Sequence, residues 1–339
     1  MSSKPVEQKL SQRRSVAIGR IVLGVGLSLG LGWLAIRGLD WALVGRTLRG
    51  FPISSALLAV GLLLVSNVIR AFRWRVLFID QRISAARLFL VQNIGIGVNN
   101  LVPFRVISEA TQFTLLTLRN RINPATALAT LGMERVLDVV SSTILLMLAF
   151  VLIPEMKNFA IYIWGTFGFT VFLLALVHLI AWSGKRLTFL KRFPFLPSFA
   201  AAVALIERHP WRLTSSLALT ILIWIVSGIS TWIVARDTGV NVNLVTATAI
   251  LIGVLLFATA VPAMPAAIGT FEFVIVYVLG FFGIKEETSF GFAVIIHALF
   301  FVPPTVIALV FLPSEGIGSL RKVRALTSRF GGMTNPPSS

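Results

Sequence analysis

Three groups of charged and polar residues lie within or beside apolar runs, where a charge needs a physical explanation. The densest is Glu134, Arg135 and Asp138, inside an apolar run over 124–153. A charge near the centre of a membrane helix costs roughly 2.5–3.5 kcal/mol on insertion scales, so it requires partners or water. At helical spacing, Glu134 and Asp138 share a face and Arg135 reaches Asp138. Two hypotheses follow: a self-neutralising cluster that fixes helix packing, or the wall of a hydrated cavity facing a polar cargo.

The second group is Asn99, Asn100, Pro103, Arg105 and Glu109. A helix that starts after Pro103 offers a positive end and free backbone amides to an anion. The Arg105 guanidinium suits a phosphate because it donates two parallel hydrogen bonds. The alternative is an ordinary helix start in which Arg105 and Glu109 form an ion pair at i,i+4 spacing.

The third group is a broken apolar run with Pro262, Pro265 and Gly269, followed by Glu272. A proline-interrupted segment that ends in a carboxylate thus occurs in each half of the chain, about 160 residues apart, and interrupted segments at corresponding positions of two halves point to a transporter's central site. A two-half organisation is therefore one interpretation. A simple kinked helix and loop is the other.

No further pattern indicates chemistry. The chain has no cysteine, which excludes thiolate nucleophiles and thiolate metal ligands. His178, His209 and His297 lack the spaced carboxylate or second histidine of a zinc site. No nucleotide-binding fingerprint is present. We therefore expect no metal, no cofactor and no catalytic residue.

Composition predicts an all-α polytopic integral membrane protein. Of 339 residues, 56% are hydrophobic and only 13% are charged, and the mean hydropathy is +0.89. This balance excludes a soluble enzyme, and several runs reach the roughly 20 residues needed to span a bilayer. The net charge of +17 indicates basic loops that contact anionic headgroups rather than nucleic acid. Membrane lipids are the expected partners.

The hydropathy pattern predicts a single transmembrane domain over 16–312, between basic cytoplasmic tails at 1–15 and 313–339. We expect about eight crossings and a re-entrant segment at 88–103, where glutamine, asparagine and glycine interrupt the apolar run. The crossings are 16–36, 53–75, 124–153, 159–182, 213–235, 244–264, 270–284 and 288–312. Both termini are then cytoplasmic.

Two shorter amphipathic helices are also predicted. The external loop between the first two crossings carries Arg37, Arg46 and Arg49, which conflicts with the preference of basic residues for the cytoplasmic side. A helix lying flat in the interface, with Trp41 among its apolar residues, reduces this conflict. The second amphipathic helix is expected at 198–209.

The three groups together resemble the transmembrane family of lysylphosphatidylglycerol synthases, a flippase-like domain, over about 18–312. The similar stretches are 99–109, 134–138 and 265–272. In bifunctional relatives this region is implicated in moving aminoacylated phosphatidylglycerol between leaflets, while a soluble domain, not expected here, performs the aminoacylation. Stand-alone relatives are associated with hopanoid or glycolipid pathways. The resemblance therefore leaves the lipid, direction, energy source and oligomeric state open.

The resemblance implies a lipid flippase of the bacterial cytoplasmic membrane whose cargo is an anionic phospholipid or lipid-linked headgroup. The substrate-binding residues would be Asn99, Asn100, Arg105, Glu109, Glu134, Arg135, Asp138 and Glu272, with Pro103, Pro262, Pro265 and Gly269 as hinges. Alternatives are a non-transporting partner of a lipid- or glycolipid-modifying enzyme and an integral membrane enzyme that acts on lipids.

Three positions depart from the family pattern. Ser108, Ala266 and Ala267 stand where the family commonly has glycine. Each adds a Cβ at a place where glycine permits close backbone approach or a positive φ.

Overall fold

The chain is all-helical in the part that its computed structural model describes, which is residues 23–102, 105–186, 195–260 and 264–315. No β-strand occurs in these ranges, and the fold class predicted from the sequence is confirmed. The predicted tails lie outside the described residues, except for 313–315. The helices are α1 (Leu23–Ile36), α2 (Trp41–Gly50), α3 (Ile53–Leu77), α4 (Ala85–Leu101), α5 (Arg105–Thr114), α6 (Pro124–Leu152), α7 (Ala160–Arg186), α8 (Phe195–Glu207), α9 (Pro210–Asp237), α10 (Leu244–Ala260), α11 (Thr270–Gly280) and α12 (Glu286–Phe311).

Five of these helices are long and apolar enough to cross a membrane on their own: α3, α6, α7, α9 and α12. A sixth span results if α1 and α2, which meet at 92°, are counted together. Since α8, α10 and α11 are shorter apolar helices, the predicted eight crossings stay a prediction. The 92° bend also turns α2 across the direction of α1, as a helix lying flat in the interface requires.

The stretch 88–103, predicted to be re-entrant, contains one unbroken helix as far as Leu101. Asn93 Oδ1 accepts from the Asn67 amide of α3 at 3.2 Å. Gly95 packs directly against the Gln112 side chain of α5. Polar and small residues in α4 therefore contact neighbouring elements, which agrees with the expectation that this backbone is buried in protein.

Helices α3 and α9 pack antiparallel along most of their length and form the axis of the fold. The hydrogen bonds between the two helices follow one another from the start toward the end of α3 and from the end toward the start of α9. They join Ser55 Oγ to Asp237 Oδ2 at 2.5 Å, the hydroxyls of Ser66 and Ser227 at 2.8 Å, and Arg73 Nη1 to Thr220 Oγ1 at 3.1 Å. Buried hydroxyls therefore fix the register of two membrane helices that hydrophobic burial alone would not align.

The helices that follow α3 and α9 repeat one pattern. Helices α3 to α6 have 25, 17, 10 and 29 residues. Helices α9 to α12 have 28, 17, 11 and 26 residues. In both sets the break between the second and third helices follows an apolar helix and carries a proline.

The packing repeats as well. Helix α4 contacts α12 of the other half, and its equivalent α10 contacts α6. Because the equivalent helices α3 and α9 run antiparallel, the two halves have opposite directions. An inverted repeat of this kind builds many transporter folds, with the central site between the halves. The predicted two-half organisation thus has a structural basis in the described residues.

A polar contact outside the spans holds the end of α12 against the start of α4. The guanidinium of Arg87 binds Glu315 through both nitrogen–oxygen pairs, with Nη2 donating to Oε2 at 2.6 Å. Arg87 Nε donates to Asn120 Oδ1 at 3.0 Å. The hydrogen bond from Arg87 lowers the pKa of Glu315 below its ordinary value. A carboxylate with a depressed pKa stabilises the fold above its unfolded pKa and loses this effect as pH falls through the folded pKa.

We therefore expect Glu315→Gln to lower the unfolding temperature at neutral pH, because it removes one partner of this ion pair. Above about pH 5, where the carboxyl is also ionised in the unfolded chain, the difference in unfolding temperature between wild type and variant should be constant. This difference should become smaller as the pH falls through the depressed pKa of Glu315. Thermal unfolding in detergent between pH 7 and pH 3 measures it. Glu286→Gln, at an exposed position, is the control, and a gap that does not change with pH would contradict the prediction.

Candidate functional site

Arg73 is the centre of the charged network inside the bundle. It is fully buried, and Nη2 donates to Glu134 Oε1 at 2.6 Å, while Nη1 binds Asp138 Oδ1. Nη1 also donates to the Thr220 hydroxyl. Burial of one cation is tolerable because two carboxylates and a hydroxyl replace its hydration.

Arg73 and its neighbour Arg70 were not among the site residues predicted from the sequence. Arg70 Nη1 lies 3.5 Å from Asp138 Oδ2. Both arginines sit near the end of α3, a place typical of residues at the membrane interface. Their spacing from Ser66 and Asn67 would have revealed them, because positions three and four apart place a polar face along an otherwise apolar helix.

The network also includes the predicted contact within α6. Arg135 Nη1 lies 3.7 Å from Asp138 Oδ2, so the expected i,i+3 contact is confirmed. Arg135 Nε lies 3.8 Å from Glu109 Oε1, which brings α5 to the network. Three arginines thus meet three carboxylates. The cluster is self-neutralising and it fixes helix packing, as one of the two hypotheses states.

Exposure increases from the centre of this network to its edge. The Arg73 side chain is 1% exposed and that of Glu134 is 6%, whereas the side chains of Arg135 and Glu109 are 39% and 45% exposed. The edge pair therefore lies partly exposed at the surface of the bundle, while Arg73 and Glu134 are buried. A polar molecule would meet Arg135 and Glu109 first.

Several buried polar atoms near this network lack a hydrogen-bond partner among the described residues. They are Nε of Arg70, Nε of Arg73, Oγ of Ser216 and both amide atoms of Gln92. A buried polar group without a partner costs roughly 1–3 kcal/mol. These unpaired polar atoms indicate that the surroundings of the network are polar and not a dry core.

Glu272, of the third group predicted from the sequence, forms a second pair of acidic and basic side chains. Its partner is His297, for which no role was predicted. Glu272 Oε1 lies 2.5 Å from His297 Nδ1 of α12, and Glu272 Oε2 accepts from the Gly269 amide at 2.7 Å. Both carboxylate oxygens are thus engaged. The amide contact closes the start of α11 in the manner of a capping box.

The broken segment fixes the tautomer of His297. Nε2 lies 3.0 Å from the Ala266 carbonyl oxygen, which can only accept, so Nε2 carries a hydrogen. Nδ1 faces Glu272 Oε1. The two side chains are 9% and 12% exposed, so this pair is buried where the pair of Arg135 and Glu109 is partly exposed.

Ser28 of α1 binds the broken segment on both sides. Its hydroxyl accepts from the Met264 amide at 2.8 Å and contacts the Thr270 hydroxyl at 3.1 Å. Gly269, a predicted hinge, has φ +83° and lies against Ser28 and Gly32, where a Cβ would stand 2.4 Å from the Ser28 carbonyl oxygen. Only glycine satisfies both the backbone and the packing.

Ala266 and Ala267 both have φ +58°. This left-handed conformation is strained for a residue with a Cβ. The glycines that the family pattern has at these positions would adopt it without strain. The two alanines therefore lower the stability of this segment, and the contacts of Ser28, Glu272 and His297 compensate for the loss.

The two acid–base pairs occupy equivalent positions in the two halves. Glu109 and Glu272 lie on the short helices α5 and α11, about 160 residues apart, and the same separation relates Arg135 to His297. Each carboxylate pairs with a cationic or titratable side chain on the next long helix. Only the second member differs, arginine in one half and histidine in the other.

The remaining predicted residues are placed as follows. The Asn100 amide donates to the Phe301 carbonyl and the Thr305 hydroxyl at 3.1 and 3.0 Å, so it joins α4 to α12. Asn99 is half-buried on α4. Arg105 is the first residue of α5, with a side chain outside the described part. Pro265 opens a short 3-10 turn. Pro103 and Pro262 lie outside the described residues.

The comparisons with known proteins identify one family. The model of the lysylphosphatidylglycerol synthase TM region matches residues 21–308. No curated protein matches the chain. In the described residues, no group of three or more histidine, aspartate or glutamate side chains could hold a metal ion.

Arg73→Met should strongly destabilise the fold, because it leaves Glu134 and Asp138 without their buried partner. Breaking a buried ion pair costs about 3–5 kcal/mol. We expect a large fall in the unfolding temperature in detergent, and a partial recovery when Glu134→Gln is added. Arg75→Met, two residues away at an exposed position, is the matched control. A fall of similar size in the control, or no recovery in the double variant, would contradict the role of Arg73.

Ala266→Gly and Ala267→Gly should each raise stability. Relief of the left-handed backbone is worth about 1 kcal/mol at each position. Ala249→Gly, inside α10, is a control for which the opposite result is expected: it should lower stability, since glycine inside a helix costs roughly 1 kcal/mol. Thermal unfolding of the three variants measures the effect. Equal losses in all three would show that residues 266 and 267 carry no strain.

Proposed function

Because the chain belongs to the lysylphosphatidylglycerol synthase transmembrane family, we propose that it moves a phospholipid or lipid-linked headgroup between the leaflets of a membrane. The headgroup would pass a polar path between the helices while its acyl chains stay in the hydrocarbon. The chain would then be a transporter and not an enzyme. The protein is a multi-pass membrane protein, and we assign it to the bacterial cytoplasmic membrane with both termini in the cytoplasm, because its tails are basic.

One observation carries the proposal: equivalent acid–base pairs stand beside the broken segments of two inverted halves. Intramembrane charges are expensive and mark substrate pathways when they line a polar route. The edge pair of Arg135 and Glu109 is partly exposed, and its nearest atoms are 3.8 Å apart, so one headgroup can contact both side chains. Arg135 would bind a phosphate, and Glu109 would accept from hydroxyl or ammonium groups.

The other charged residues divide between binding and support. Arg105, the first residue of α5, would bind a phosphate together with the positive end of that helix. Arg73 would hold Glu134 and Asp138 in position. Asp138 is 19% exposed at its side chain, so it connects the sealed centre to the accessible edge.

The difference between the two pairs suggests how the path changes sides. The pair of Glu109 and Arg135 is open, and the pair of Glu272 and His297 is closed. In an inverted repeat, alternating access arises when one half adopts the arrangement of the other. We propose that transport opens the pair of Glu272 and His297 as the edge pair closes, with the segment around Gly269 as the hinge.

A liposome assay tests this function. The purified protein is reconstituted in vesicles that contain fluorescent phosphatidylglycerol in both leaflets, and a membrane-impermeant reductant bleaches the outer leaflet. Translocation by the wild type should make nearly all of the label accessible. Arg135→Gln and Glu109→Gln should slow it by roughly ten- to hundredfold, since each removes a charge-assisted contact worth about 1.5–3 kcal/mol. His297→Gln should also slow it, by disrupting the closed pair.

Arg49→Gln, exposed on α2, should translocate lipid at the wild-type rate. Each variant must keep the wild-type elution profile and unfolding temperature for its rate to count. Translocation by the wild type no faster than in protein-free vesicles would favour a non-transporting partner of a lipid-modifying enzyme. Chemical conversion of the labelled lipid would favour an enzyme. Equal rates in the wild type, Arg135→Gln and Glu109→Gln would contradict the assigned path.

A further inference from the structure

A second polar site lies on the outside of the bundle, where α3 ends and α9 begins. A groove of about 490 Å³ opens there, lined by Phe72, Arg75, Val76, Arg212 and Leu219. It is separate from the internal network, since Arg75 is exposed while Arg73, two residues earlier, points into the core. Because these are the ends of two candidate spans, the groove lies at the membrane boundary.

The groove brings two arginines together without an acidic residue in its lining. Arg212 Nη1 donates to the carbonyl oxygens of Val76 and Phe78 at 3.1 and 3.3 Å, which anchors the guanidinium at the end of α3. In the part of the chain that the structure describes, the side chain of Arg75 makes no hydrogen bond or ion pair, and its backbone carbonyl accepts from the Phe78 amide. Two neighbouring cations repel each other, and an anion between them removes that repulsion.

The apolar part of the groove continues into the surface that faces lipid. On α3, Val65, Val68 and Phe72 are 50%, 42% and 48% exposed at i,i+3,i+7 spacing, and the same face ends at Arg75. On α9, Leu219 leads to Leu222, which is 42% exposed. Trp211 is 80% exposed at the start of α9, as expected of an aromatic ring at the headgroup level.

We propose that this groove binds one anionic phospholipid, with its phosphate between Arg75 and Arg212 and an acyl chain along Phe72 and Leu219. The continuity of the groove with the lipid-facing stripes indicates a lipid rather than a soluble anion. Two cations without a carboxylate favour a headgroup with a net negative charge over a zwitterionic one, which brings its own ammonium. The site is independent of transport, because it shares no residue with the path assigned above.

Retention of lipid by the purified full chain tests the site. Native mass spectrometry compares phosphatidylglycerol with phosphatidylcholine of the same acyl chains. We expect a clear preference for phosphatidylglycerol in the wild type. Each arginine near a membrane surface contributes about fivefold to anionic binding, so Arg75→Gln should lower the preference about fivefold. Arg75→Glu should abolish it while phosphatidylcholine binds as before.

Arg49→Gln is the control and should keep the wild-type preference. Arg212→Gln should act like Arg75→Gln, and if it fails to fold, Arg75→Gln and Arg75→Glu still decide the matter. Equal retention of phosphatidylglycerol by the wild type and Arg75→Glu would overturn the proposal. Displacement of the lipid by glycerophosphoglycerol, the headgroup without chains, at equal concentration would also overturn it, because the apolar half would then contribute nothing. Translocation by Arg75→Gln should equal that of the wild type, so failure of this site is distinguishable from failure of the transport proposal.

Discussion

The structure depends on one buried cation. Arg73 of α3 is held by two carboxylates of α6 and a hydroxyl of α9, so three membrane helices meet at one level. Sliding of any of the three would leave a charge without compensation in a medium of low dielectric, which is a large penalty. The hydroxyl contacts between α3 and α9 extend this register toward the start of α3 and the end of α9. The centre of the bundle is therefore fixed in register, and the proposed change in access is assigned to the segment 264–269 beside it.

The broken segments are built for such a change. The segment 264–269 has two alanines and a glycine with positive φ, which is backbone strain that persists only because surrounding contacts impose it. Those contacts are the Ser28 hydroxyl on one side, the pair of Glu272 and His297 on the other, and packing against α4 and the hydrophobic core. Tertiary contacts thus oppose the local strain.

The two halves use one architecture with different chemistry. The pair of Arg135 and Glu109 is partly exposed, and the pair of His297 and Glu272 is buried. An inverted repeat makes the halves geometrically equivalent, and the exchange of arginine for histidine makes them chemically different. In the proposed path, the two pairs would therefore offer a headgroup different contacts.

The sequence by itself determined the class of protein, most helix positions and the three polar groups. Hydrophobic runs of membrane length are local signals that survive in any tertiary context. The contact of Arg135 with Asp138 was predictable for the same reason, since three residues along a helix fix the geometry. The contacts of the polar residues of α4 were not, because Asn93 and Asn100 bond to side chains of α3 and α12, which are distant in sequence.

Only the tertiary structure decided which charges neutralise one another. Arg73 belongs to a polar face of α3 that is visible in the sequence, but only the packing shows that it is the buried partner of Glu134 and Asp138. His297 looked isolated, because its carboxylate partner lies on another helix and the two join only when α11 packs on α12. Periodicity reports the environment of a residue along its own helix. The partner of a buried charge is set by the packing of helices that are distant in sequence, and no local pattern encodes that distance.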